Sequence, residues 1–354
     1  MALTEYGVNA NEAVKLWSRR LAREALKQTY IQRFLGTGDS SIIQLKPDTQ
    51  KGPGDRIRCT LRMQLSGAGV QGDGTLEGNE ESLTTYTDDV VINQLRHAVR
   101  SAGKMSEQRI PFSVREEAMS GLRDWWSDRF DTWFFNQVCG YTPQSDTRYT
   151  GNQAVTAPDA SHRVFTTGSA DETVQADSSK VATLAMIDAA VEKAKTLSPM
   201  IRPVNVDGKP HYVVFLHPYQ VYDIRTSTST GQWLDIQKAA MNGGKVGENP
   251  IFTGALGVYN GCILHESTRV TNGVHSSTGA AQTSVRRAVL CGAQSAFIGF
   301  GQGHSFKQMD WNEELFDYGN QLGVEAGCIG GLKKAVFNSA DFGVVTMSSY
   351  AAAH

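Results

Sequence analysis

A few stretches of this 354-residue chain carry the residue types that catalysis and ligand binding use, and their spacing decides what they can do. Gly299-Phe300-Gly301-Gln302-Gly303 has the look of a phosphate-binding turn. The dinucleotide version needs G-x-G-x-x-G between a strand and a helix, so that backbone N–H groups and the helix N-terminus meet the phosphate charge. Here the third glycine falls one residue early and no helical pattern follows. Asn242-Gly243-Gly244-Lys245 ends like a Walker loop, but Ala239 stands where its first glycine belongs and Val246 replaces the Ser or Thr that would hold magnesium. Gly292-Ala293-Gln294-Ser295-Ala296 does not match the G-x-S-x-G turn that exposes a serine nucleophile.

Metal chemistry fares no better. His211 and His217 share one face of a predicted strand, yet they read as strand-end histidines bonded to backbone or water. His265-Glu266 are adjacent, so their side chains leave a strand on opposite faces. Cys59, Cys139, Cys262, Cys291 and Cys328 are odd in number and scattered, with no CxxC, which argues against a disulfide framework or a zinc site. They read as small buried hydrophobes of a reducing compartment. Asp124, Asp128 and Asp131 with Arg115, Arg123 and Arg129 read as a solvated or partner-facing helix side held by ion pairs three or four residues apart. No catalytic residue, cofactor or metal is expected.

The elements that carry these residues say more than the residues themselves. Residues 55–65 alternate with period two: Ile57, Cys59, Leu61, Met63 and Leu65 on one face, and Arg56, Arg58, Thr60, Arg62 and Gln64 on the other. That pattern predicts a long strand. Ser66 to Gly74 then packs four glycines into eight residues, which predicts an exposed loop. Glu77-Gly78-Asn79-Glu80-Glu81 adds acidity, and Tyr86 to Leu95 predicts a returning strand. The product is a long two-stranded ribbon with an elaborate tip. Such a ribbon is marginal alone in water and needs a surface to lie on, which is not evident within the chain.

Residues 113–138 predict the strongest helix, opened by a Ser113/Glu116 capping box and striped with Ala118, Leu122, Trp125, Trp126, Phe130, Trp133, Phe134 and Val138. A shorter basic amphipathic helix is predicted over 9–30. Residues 141–178, rich in Thr, Ser, Asp, Gln and Gly, read as a long surface excursion. From 179 onward helix and strand alternate: a helix through Val181, Leu184 and Val191, a strand at 211–216, a short helix from Pro218, and strands at 261–264 and 287–291. The C-terminal stretch reads as short glycine-punctuated strands and turns, with a last pair formed by 334–337 and 343–347.

The balance of 34 basic against 36 acidic residues gives a net charge of −2, without the basic excess of a nucleic-acid-gripping protein. The N-terminus lacks a signal peptide, and no apolar run approaches the ~20 residues that cross a bilayer, so a soluble chain is expected.

The ribbon and the segments after it carry a resemblance. Leu65-Ser66-Gly67-Ala68-Gly69-Val70, Leu76-Glu77-Gly78-Asn79-Glu80-Glu81, Gln94 to Arg100 and Gly103 to Arg109 closely resemble a family of podophage and related tailed-phage major capsid proteins. So do Gly254-Ala255-Leu256-Gly257, His265-Glu266-Ser267, Gly292-Ala293-Gln294, Phe316 to Asn320 and Lys333 to Asn338. The likeness spans roughly residues 50–349, with little of it in the first helix or in 141–178. The resemblance implies an α+β chain of the Hong Kong 97-type capsid fold. It implies an N-terminal arm (1–53), an extended hairpin loop (54–95), a peripheral domain with a spine helix (96–178, helix 113–138), an axial domain (179–285) and a return to the peripheral domain (286–354).

It also implies a structural shell subunit rather than an enzyme, assembling with itself as pentamers and hexamers around packaged double-stranded DNA. Contact with that DNA is expected to be weak and non-specific. Portal, scaffolding and decoration proteins would be further partners, with no membrane. The virion would be the destination and the bacterial cytoplasm the place of assembly. The expected inter-subunit residues are Arg56, Arg58, Arg62, Leu65, Gly67, Gly69, Glu77, Glu80 and Glu81. The alternatives are an encapsulin-like compartment subunit and an α+β soluble enzyme.

Overall fold

A computed structural model of the chain describes residues 30–47, 54–109, 113–206, 208–227, 257–304 and 309–353. The predicted helix over 9–30 falls outside the described residues except for Tyr30, and the 242–245 run falls outside them altogether. The long helix spans Val114–Val138, about 37 Å at 1.5 Å per residue. Ser113 caps it by accepting the Glu116 N–H at 3.4 Å. Glu116 and Glu117 place negative charge on its positive end. The chain leaves it through Gly140 at φ +64, where a Cβ would also meet Pro158 Cδ at 2.6 Å, so both handedness and space require glycine.

Its apolar stripe is the centre of the largest core cluster. Trp126, Phe130 and Trp133 are buried to 1% exposure or less. Their rings meet edge-on or tilted, with Phe130 and Trp133 centroids 5.5 Å apart. Each such pair adds about 0.5–1.5 kcal/mol beyond burial. The helix packs on a six-stranded sheet built around the strand Gln321–Lys334. That strand pairs antiparallel with Ala296–Phe300, Asp310–Phe316 and Asn93–Arg100. A second, eight-stranded sheet runs in the order Arg163–Phe165, Val344–Tyr350, Ala281–Cys291, Lys209–Leu216, Cys262–Glu266 and Val258–Tyr259. The helix Leu184–Thr196 covers it through Ile187, Ala190, Val191 and Ala194.

The structure corrects several sequence expectations. The glycine-rich region near 320–331 is not short strands and turns but one 14-residue strand. Its glycines mark close approach: a Cβ on Gly331 would overlap the Val91 carbonyl oxygen, and one on Gly327 would sit 3.1 Å from Arg96 Cγ. The strands 334–337 and 343–347 are not partners. Val344–Tyr350 pairs with Ala281–Cys291 and Arg163–Phe165, while Val336–Phe337 closes a small hairpin with Ala340–Asp341.

Residues 141–178 are a surface excursion only in part: most of the segment is partly or fully exposed, but Thr150, Gly151, Gln153, His162, Asp171 and Val174 are buried. Trp133 Nε1 donates to the Arg148 carbonyl at 2.7 Å, Asn136 Nδ2 to that of Tyr149 at 2.9 Å and Gln137 Nε2 to that of Thr150 at 2.6 Å. Side chains of the long helix thereby satisfy the backbone at 148–150, which ties that part of a polar segment to the body.

The acidic row of the long helix serves the chain itself. Asp131 is 3% exposed and accepts the N–H groups of Tyr30 and Ile31 at 3.3 and 3.1 Å. Asp128 pairs with Arg269. Arg129 is buried between the rings of Trp125 and Tyr149, its guanidinium carbon 4.7 and 3.9 Å from their centroids. Arg115, Asp128 and Asp131 find partners distant in sequence, while Arg123 contacts the adjacent Asp124 at 3.5 Å. His217 accepts the Tyr219 N–H at 3.2 Å and caps the helix Pro218–Thr226, in keeping with a structural role.

Candidate subunit interface

The strands Arg56–Arg62 and Thr85–Val91 form the expected ribbon, antiparallel with Arg58 opposite Asp89 and Arg62 opposite Thr85. The returning strand ends at Val91, and Asn93–Arg100 joins the six-stranded sheet instead. Ile92 donates back to the Asp55 carbonyl at 2.8 Å where the ribbon meets the body.

The surface the ribbon needs is present in the same chain. Ile57, Cys59, Val90 and Ile92 are buried against Phe297, Ala335, Phe337 and Phe342. Gly299 lies directly beneath Ile57, where a Cβ would collide with the Ile57 side chain. The glycine that resembled part of a phosphate turn therefore serves strand packing. Asp88, 8% exposed, forms an ion pair with Lys333 and accepts the Val336 N–H at 3.2 Å. These two residues fasten the ribbon, and sequence reasoning missed them because they lie 245 positions apart.

The candidate interface residues divide accordingly. Arg56, Arg58 and Arg62 line the outward face of the first strand. Arg58 is engaged across the ribbon, donating from Nε and Nη2 to the two carboxylate oxygens of Asp89 at 2.8 and 3.0 Å. That bond is the main reason the Asp89 carboxyl lies below its ordinary range. Met63 N–H to the Thr84 carbonyl, 3.0 Å, is the last rung, and residues 66–82 beyond it carry no regular strand or helix.

Within this tip Glu81 closes the loop. Its carboxylate accepts the Ser66 N–H at 2.8 Å, the Gly67 N–H at 2.7 Å and the Ser66 hydroxyl at 3.2 Å. The backbone donors hold its carboxyl below the usual carboxylate range. Glu80 accepts the Gly78 N–H at 2.7 Å. Gly69 adopts φ +70, and a Cβ there would meet nothing within 4 Å, so handedness alone favours glycine. Glu77 is exposed, as is every other residue from 64 to 85. Leu65, Leu76 and Leu83 are 58%, 61% and 57% exposed. These three apolar side chains stand in solvent at the far end of a ribbon whose base is fastened to the body.

Among the described residues no group of three or more His, Cys, Asp or Glu is arranged to hold a metal, and no helix is long and apolar enough to cross a membrane. All five cysteines are buried. Burial pushes the Cys262 thiol up to about 12 and those of Cys139, Cys291 and Cys328 upward as well, which suppresses thiolate chemistry.

A family model described as phage capsid protein matches residues 5–353. The chain belongs to the phage capsid protein family. This capsid chain is 29% identical over 378 residues to the major capsid protein of Pseudomonas phage KPP25, covering 97% of the chain and 96% of that protein. It superposes on the capsid protein of Ralstonia phage GP4 with a TM-score of 0.77 at 31% identity, covering 99% and 96% of the two chains. Against the capsid protein of Cyanophage Pam1 the TM-score is 0.74 at 21% identity, covering 100% and 97%, which shows a shared fold. The fold is α+β of the Hong Kong 97 capsid type. The chain is a structural major capsid protein, a component of the virion that assembles with copies of itself, and not an enzyme.

Proposed function

We propose that the chain builds an icosahedral shell by repeating one heterologous contact, in which the loop of residues 66–82 lies across the neighbouring subunit. The observation that carries this reading is the contrast between the two ends of the ribbon. Its base is buried on its own body, while Leu76 in the loop and Leu65 and Leu83 at its root stand bare in water. Burial at ~25 cal/mol per Å² makes one such contact modest, but a closed ring repeats it in every subunit.

The outward arginines and the acidic tip, Arg56, Arg62, Glu77 and Glu80 among them, supply the polar rim of that contact. The glycine-rich tip lets the same contact adapt to pentamers and hexamers. In this reading residues 1–53 are the arm, 54–95 the extended loop, 96–178 and 286–354 the peripheral domain, and 179–285 the axial domain. The shell encloses double-stranded DNA, touching it weakly, as the net charge of −2 suits. It forms in the host cytoplasm with portal, scaffolding and decoration proteins as partners.

Deletion of residues 66–82 tests the proposal. A soluble subunit that yields no particles by negative-stain electron microscopy is expected. Normal particles from that variant would remove the loop from the assembly contact.

A further inference from the structure

The root of the loop forms one wall of a cleft of about 780 Å³, whose other wall is the segment Leu197–Arg202. This second wall is anchored to the body through Ile201 and Arg202. Ile201 donates to the Ala194 carbonyl at 3.0 Å, the Tyr212 hydroxyl donates to the Ile201 carbonyl at 3.0 Å, and Ala293 N–H donates to the Arg202 carbonyl at 2.8 Å. Gly292 allows this approach, since a Cβ there would stand 2.6 Å from the Arg202 carbonyl oxygen. Phe342, held against Phe337 with centroids 5.3 Å apart, also lines the cleft.

Leu61, Met63, Leu65 and Met200 give the cleft an apolar lining, and Leu65 and Met200 are 58% and 50% exposed. Arg62 and Arg202 add two positive charges, and both residues are exposed. Arg202 is steadied by a hydrogen bond to Gln294. An apolar slot with a basic rim calls for an apolar side chain flanked by carboxylates. The sequence Leu76-Glu77-Gly78-Asn79-Glu80 has that pattern, with Leu76 61% exposed and both glutamates in solvent. Leu76 is not among the residues lining the cleft of its own chain. Glu81 closes the loop at Ser66 and Gly67, which presents the tip as a preformed unit.

We infer that the cleft is the receptor for the loop tip of a second copy of this chain, with Leu76 in the slot and Glu77 and Glu80 facing Arg62 and Arg202. The inference rests on the reading of the chain as a ring-forming shell subunit, and it names the surface that the loop meets. Each subunit then offers one tip and one cleft, which is the arrangement that propagates head to tail and closes as a ring.

A disulfide trap decides it. All native cysteines are buried, so thiols introduced by Leu76→Cys with Met200→Cys are the ones that oxidise. Oxidised particles should give a ladder of linked subunits on a non-reducing gel, and each single substitution should give none. Particles that show no ladder, or a link within one chain, overturn the docking alone. Absence of particles from the unsubstituted chain overturns the shell reading and the docking with it.

Charge exchange gives a second readout. Arg62→Glu with Arg202→Glu should lower particle yield about tenfold, as like charges face each other across the contact. Adding Glu77→Arg and Glu80→Arg to the same chain should restore it. Unchanged yield from the first variant, or no restoration in the second, counts against the contact.

Discussion

The Asp131 carboxylate accepts the backbone N–H of Ile31 at 3.1 Å, joining residues a hundred positions apart. Tyr30 donates to the same carboxylate at 3.3 Å, and Arg269 lies 3.7 Å from it. The 3-10 turn Tyr30–Phe34 is therefore capped by the long helix, and its Tyr30 and Phe34 rings pack around Phe215 and His265. Burial raises the Asp131 carboxyl above its ordinary value despite these donors.

Replacing Asp131 by Ala should cost about 1–3 kcal/mol, because it strands two N–H groups and uncovers Arg269. Asp131→Asn keeps one acceptor oxygen and should cost less. Denaturant unfolding of the unassembled subunit separates the two, and an Ala variant as stable as the parent would deny the cap any role.

Trp133 fills the core at 1% exposure and donates to the Arg148 carbonyl. Trp133→Ala should lose about 3–5 kcal/mol. Trp133→Phe retains much of the packing and loses mainly the hydrogen bond, about 1 kcal/mol. Equal losses for the two would mean that the hydrogen bond, and not the volume, matters.

Gly331 and Gly69 should respond oppositely to alanine. At Gly331 the added Cβ overlaps the Val91 carbonyl oxygen, so the ribbon must separate from the sheet or the chain must fail to fold. At Gly69 the Cβ meets nothing within 4 Å and only the left-handed conformation is strained, about 1 kcal/mol. Expression and thermal denaturation of the two variants check this, and a Gly331→Ala chain of parental stability would contradict the packing.

Lys333→Ala should loosen the ribbon. Asp88, 8% exposed, would keep the Val336 N–H but lose its ion pair, at about 1–3 kcal/mol. Trypsin should then cut faster at Arg56, Arg58 and Arg62 than elsewhere. Uniform cleavage rates would show that the apolar face alone holds the ribbon.

Acid should weaken the subunit before the carboxylates titrate. Burial, and secondarily Arg286, depress His217 to about 4 from its ordinary 6.5. Between those values the unfolded chain takes up a proton that the folded chain refuses. Stability is therefore fully present above about pH 6.5 and declines toward pH 4, by about 1–3 kcal/mol. His265, depressed by burial and by Arg33, has the same sign. His217→Asn can still accept the Tyr219 N–H and should flatten the slope, and an unchanged slope would assign it to other groups.

Much of this architecture is local and so could be read directly. Period two in 55–65 reports one face of a strand, and the Ser113 cap with its aromatic stripe reports the helix Val114–Val138. The failure of each catalytic motif is likewise a matter of spacing within a few residues. The glycine-rich tip announced itself because such density forbids regular structure.

What only the tertiary structure decided are partnerships across long separations. Polar composition put 141–178 in solvent, but Trp133, Asn136 and Gln137 satisfy the carbonyls of 148–150 and tie that stretch to the body. Glycines at 323–331 read as turns, because a sequence does not show which backbone will approach which strand. The alternating strand 55–65 told that one face is apolar and not what covers it. Phe297, Ala335, Phe337 and Phe342 cover Ile57 and Cys59, so the body of the same chain covers the base of that face. Burial is a property of the folded surface as a whole, and no window of sequence contains it.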